Sequence, residues 1–151
     1  MPVNLRWGAS MSDYHNILVA TDLHHEDNVI NKALHLAKQN NAKLTIINVV
    51  PNLPCYMAAG LSSISDIEDQ LMNEAKTKLE NIKKLVGDQA AFELLNGVPK
   101  LEIVRYAKEI NADLIVIGSH GRGGVQRLLG STANGTLHRA PCDVLVIRAS
   151  K

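Results

Sequence analysis

The residues best suited to chemistry lie in one glycine-rich stretch, Gly118–Ser131, which reads GSHGRGGVQRLLGS. Five of its fourteen residues are glycine: Gly118, Gly121, Gly123, Gly124 and Gly130. Without a Cβ in the way, consecutive backbone N–H groups can turn toward a single anion. The stretch runs into Ser131 and Thr132, which open a predicted helix over 131–139. A helix N-terminus carries unpaired N–H groups and the positive end of the dipole, so it suits a phosphate. The two hydroxyls add donors. The bland alternative is a glycine-rich connector. Charge leans toward the anion: residues 118–151 hold Arg122, Arg127, Arg139, Arg148 and Lys151 against Asp143 alone, whereas residues 1–117 hold 11 bases and 14 acids.

Other candidates are weaker. Asp22 ends a predicted strand beside the same place; it suits a contact in the pocket or a helix cap, and these roles can coexist. His24 and His25 are adjacent, so on a helix they point about 100° apart and do not share a metal. His120 sits inside the loop, but no serine–base–acid set accompanies it, so no catalytic residue is assigned. Arg122 and Arg127 suit a phosphate or an ordinary charged surface. Cys55 and Cys142 cannot build a disulfide framework and read as reduced thiols.

The elements that must position the loop follow from hydrophobic periodicity. Continuous apolar strands are expected at Asn16–Thr21, Lys43–Val50, Ala91–Asn96, Asp113–Gly118 and Asp143–Arg148. Amphipathic helices are expected over 26–39, after a capping box at Ser65 and Glu68, from Pro99 to Ile110, and over 131–139. This alternation predicts an α/β fold: a parallel sheet with helices on both faces. Ligands of such sheets sit at the carboxyl ends of the strands, where the winding reverses. Pro51–Leu61 is then a lid over the site or a variable connector.

The same ends exclude several classes. No glycine falls between Asp22 and Asn41, so the dinucleotide fingerprint is missing. There is no GxxxxGK[ST] loop, and the third strand ends in Asn96-Gly97 without a phosphoacceptor's acid. The net charge of +1 argues against binding nucleic acid through its backbone charge. No run reaches the roughly 20 apolar residues of a membrane span. The first ten residues hold no apolar signal core, so a cytoplasmic location is expected. Residues 1–13 show no periodicity and precede or include a plausible start at Met11. They read as a non-essential extension to a single domain over 14–151.

Four separated motifs carry a family resemblance: Ala20-Thr21-Asp22, Gly97-Val98-Pro99, the glycine loop, and APCDVLVIR at Ala140–Arg148. In this order they resemble the universal stress protein (UspA) family, in its nucleotide-binding branch. The resemblance covers Tyr14–Arg148. It implies a Rossmann-like five-stranded parallel sheet of order 3-2-1-4-5 and a homodimer formed through Asp143–Arg148. It also implies an adenine nucleotide (ATP, ADP or AMP), with Mg reached through Asp22. By the same resemblance Asp22 meets the ribose or a metal near the phosphates, Ala20 and Thr21 belong to the same nucleotide site, and Val49 offers backbone groups to adenine. Ile117 and Gly118 flank the sugar. Gly121, Arg122, Gly130, Ser131 and Thr132 lie at the phosphates.

Two departures from the family pattern stand out. The branch motif is G-x2-G-x9-G-[ST], but only eight residues, Arg122–Leu129, separate Gly121 from Gly130. A shorter loop crowds the outermost phosphate. His24 stands where the family often has serine. The function expected is therefore a dimeric, nucleotide-binding stress-response module. A slow ATP hydrolase on the same site is the alternative, as is a dimeric interaction protein that binds no nucleotide.

Overall fold

The computed structural model describes residues 14–23, 27–53, 64–119 and 129–148. Among the described residues five strands alternate with four α-helices: β1 (Asn16–Ala20), α1 (Asp27–Asn40), β2 (Lys43–Pro51), α2 (Ile64–Val86), β3 (Ala91–Gly97), α3 (Pro99–Glu109), β4 (Leu114–Gly118), α4 (Ser131–Arg139) and β5 (Asp143–Ile147). All strand pairs are parallel, in the order β3-β2-β1-β4-β5. The α/β sheet expected from the apolar runs is therefore present, and its strands take the order that the family resemblance implies.

The inner strands β2, β1 and β4 are mostly apolar because both their faces are covered. Alternate residues point to opposite layers. Ile17, Val19, Leu44, Ile46, Leu114 and Val116 pack with Val29, Ile30, Ala33 and Ala37 of α1 and Val86 of α2. Leu18, Ala20, Ile47, Val49, Ile115 and Ile117 pack with Ile103 and Ala107 of α3 and Ala133 of α4.

Local chemistry fixes where the helices stop. Asn41 (φ 50°) and Asn111 (φ 53°) take the left-handed conformation after α1 and α3. The following N–H groups of Ala42 and Ala112 reach back to the carbonyls of Ala37 and Ala107, each at 2.9 Å. Asparagine tolerates this conformation better than most residues. At the amino ends of the strands, Asp113 accepts from the backbone N–H groups of His15 (2.7 Å) and Asn16 (3.0 Å), tying β1 to β4.

Several boundaries differ from the sequence reading. β1 ends at Ala20, one residue short of Thr21, and β5 ends at Ile147 rather than Arg148. β4 begins at Leu114, after Asp113 has been used as a backbone acceptor. α2 begins at Ile64, so Ser65 lies inside its first turn and not at the cap. Asp66, also in that turn, favours the positive helix end.

Candidate functional site

β1 and β4 are neighbours, yet the chain leaves them toward opposite layers. After β1 it enters α1, which packs in one core, and after β4 it enters α4, which packs in the other. The crevice between their carboxyl ends is the reversal point of the sheet.

The β4 side of this crevice is built from backbone. The Ser119 N–H donates to the Ile147 carbonyl at 2.8 Å, and the Gly130 N–H donates to the Ser119 carbonyl at 3.0 Å. Residues 119 and 130 are thus held together and the start of α4 is fixed at the end of β4. Gly130 is the N-cap, with φ −57° and ψ 156°, and no side chain caps the helix there. The first helical bond runs from the Asn134 N–H to the Gly130 carbonyl, at 2.9 Å. The N–H groups of Ser131, Thr132 and Ala133 come before it and have no partner within the helix. Ser131 is exposed and Thr132 half-buried.

The β1 side is a tight turn. The Thr21 N–H donates to the Ile47 carbonyl at 3.0 Å. Thr21 Oγ1 accepts from the Leu23 N–H at 3.0 Å, and Leu23 has φ 63°, unusual for a residue with a branched side chain. Between them Asp22 is exposed at the crest. α1 begins five residues further on, at Asp27, so Asp22 is not its N-cap.

Of the residues singled out from sequence, Ala20, Val49 and Ile117 lie in one apolar cluster with Ala133 of α4. Thr21, Asp22 and Gly118 are at the ends of the two central strands, and Gly130, Ser131 and Thr132 are at the start of α4. Gly121 and Arg122 lie outside the described residues, as do His120, Arg127, His24, His25, Cys55 and the segment 54–61 of the expected lid. Cys142 stands just before β5, at the amino ends of the strands and away from the crevice. Partial burial pushes its thiol above the usual range, and Asp113 and Asp143 push it the same way.

Sequence reasoning missed Asn48. Its side chain is 7% exposed, and its Nδ2 donates to the Thr21 carbonyl at 2.7 Å. The available signal was a lone amide inside the apolar run KLTIINVV.

Comparison with known proteins places this geometry. A model of the universal stress protein family matches residues 13–148. Universal stress protein A homolog 2 of Coxiella burnetii is 39% identical over 142 residues, spanning 91% of this chain and 97% of that protein. The solved structure of universal stress protein UspA from Lactobacillus plantarum is 30% identical, with a TM-score of 0.76 over 89% of this chain and 98% of the other. A universal stress protein crystallised in complex with cAMP is 27% identical, with a TM-score of 0.60 over 91% of this chain and 98% of the other. With the family model covering nearly the whole chain and the sheet in the expected order, this protein belongs to the universal stress protein family.

Proposed function

We propose that the protein binds an adenine nucleotide in the crevice between β1 and β4 and acts as a dimeric stress-response module. The observation that carries this reading is the start of α4, held against the end of β4 with no side-chain cap. Its N–H groups and dipole favour an anion. Ser131 and Thr132 donate to the phosphates there, and Gly121 and Arg122 of the loop complete the cradle. Asp22 meets the ribose, or a Mg ion that accompanies the phosphates. Ala20, Ile117 and Gly118 form the floor beneath the sugar, and Val49 lies at the base. The relative in complex with cAMP supports an adenine nucleotide as the ligand class. No helix among the described residues is long and apolar enough to cross a membrane. Residues 1–13 are read as an extension that the site does not use.

The test is direct. The purified protein is denatured and the released small molecules are identified by mass spectrometry, and the emptied protein is titrated with ATP, ADP and AMP by calorimetry. Saturable binding of an adenine nucleotide is expected. Absence of binding by all three would leave the crevice without this function.

A further inference from the structure

In a parallel ladder, a residue whose N–H bonds one strand neighbour receives on its carbonyl the N–H found two positions further along that neighbour. Thr21 donates to the Ile47 carbonyl, so its own carbonyl is due the Val49 N–H. That bond is not made. The side chain of Asn48 donates to the Thr21 carbonyl instead, at 2.7 Å. The β1–β2 ladder therefore stops one bond early. The Val49 N–H and carbonyl share the direction of the Ile47 carbonyl, toward the space where β1 has ended. Among the described residues neither has a partner on that side.

We propose that Asn48 is a positioning residue that satisfies the Thr21 carbonyl and so keeps the Val49 backbone N–H and carbonyl open to the base of a bound nucleotide. This rests on the nucleotide reading above and gives it a source of base selectivity. An N–H and a carbonyl on one residue, pointing the same way, match an edge that presents one acceptor and one donor. Adenine has such an edge in N1 and its 6-amino group. Guanine presents the reverse order, a ring N–H beside a carbonyl. A site left with unmatched polar groups rejects the wrong base strongly. The amide has a second effect. By holding the Thr21 carbonyl it fixes the turn in which Thr21 Oγ1 accepts from Leu23, the turn that carries Asp22.

The test combines amide exchange with ligand selectivity. In the ligand-free wild type, the Val49 amide is expected to exchange at least about tenfold faster than that of Ile47, which lies within the ladder, and to slow when ATP is added. In Asn48→Val the Val49 N–H is free to close onto Thr21. Its exchange should slow without ligand, ATP affinity should fall about tenfold or more, and the ATP/GTP preference should collapse toward unity. Binding of inorganic tripolyphosphate should be unchanged, which a general loss of structure would not allow. A Val49 amide as protected as Ile47 in the ligand-free wild type overturns the proposal, even if the variant fails to fold. So does an Asn48→Val protein that keeps the ATP/GTP ratio. If the wild type binds tripolyphosphate but no nucleotide, the base reading fails with it. If it binds neither, the nucleotide function itself is rejected.

Discussion

The Gly130 N–H donates to the Ser119 carbonyl at 3.0 Å, so the glycine loop leaves and rejoins the sheet at a single closed point. Ser119 is itself tied to Ile147 of β5. Both ends of the loop are thus set by the sheet and by α4. Gly121→Val should abolish measurable adenine-nucleotide binding and leave circular dichroism near wild type, because a branched side chain blocks close backbone approach. Ser131→Ala removes one hydroxyl donor to a charged group, roughly 1–3 kcal/mol, and should weaken binding about 5- to 150-fold. Calorimetry with each variant checks both. Unchanged binding in Gly121→Val would reject the phosphate-loop reading.

The spacer of eight residues in this loop carries a separate expectation. If it crowds the outer phosphate, AMP or ADP should bind at least as well as ATP despite carrying fewer charges. Titration of the three nucleotides against the wild type decides. A strong ATP preference would remove the inference from loop length and leave the site intact.

Gly97 ends β3 with φ 146°, a conformation that side chains other than glycine rarely adopt. A Cβ added there would stand 2.7 Å from Cγ of Glu102, whose carboxylate is held by Arg105 at 2.8 Å. Gly97→Ala should therefore cost roughly 1–3 kcal/mol of stability in urea unfolding. Combining it with Glu102→Ala removes the clash and keeps the backbone strain, so only part of the loss should return. Full recovery would show that φ contributes nothing, and no loss in the single variant would refute both causes.

The sheet was legible in the sequence because its inner strands β2, β1 and β4 are buried on both faces and therefore read as nearly continuous apolar runs. Their order was not legible from periodicity. It came from the resemblance carried by the motifs at Ala20-Thr21-Asp22 and Gly118–Ser131, and the pairing of β1 with β4 bears it out. The end of β1 was misread by one residue for a specific reason. Thr21 continues the apolar, β-branched run, but its carbonyl is taken by the Asn48 side chain and the ladder stops. A lone asparagine in KLTIINVV announces a buried hydrogen bond without naming its partner, which is set by the register Ala20–Ile47. Ser65 and Glu68 matched a capping spacing, yet the helix starts ahead of them at Ile64.

Cys142 gives a pH-dependent prediction. Partial burial raises its thiol pKa, with Asp113 and Asp143 adding to the shift. The folded state then holds the thiol proton more tightly than the unfolded chain does. In a Cys55→Ser background, alkylation of Cys142 at pH 8 should be slower than that of a free thiol, and its pH–rate profile should lie higher. Urea unfolding should restore the ordinary rate. Any stabilisation from this group is present below the ordinary thiol range and is lost as pH rises through the raised value. Asp143→Asn should move the profile back toward normal. A folded-state profile identical to a free thiol would refute the assignment.

The last prediction concerns the edge of the sheet. β5 pairs with β4 on one side and, among the described residues, has no strand on the other. Its interior, Val144–Ile147, carries no charge, whereas β3 at the opposite edge presents an exposed Glu93. A charge guards an edge against pairing, and its absence leaves the edge open to a second copy. The Ile147 carbonyl points to β4, because it accepts from Ser119. By alternation, the N–H groups of Val146 and Val144 point outward and that of Leu145 points inward. Val146→Pro therefore removes an outward donor and leaves the pairing with β4 intact. Leu145→Pro removes an inward one. Sedimentation should give a dimer for the wild type at micromolar concentration and a monomer-shifted equilibrium for Val146→Pro with its circular dichroism retained. Leu145→Pro should lose fold and dimer together. A monomeric wild type would reject pairing through β5, and a Val146→Pro dimer of undiminished strength would move the interface to another surface.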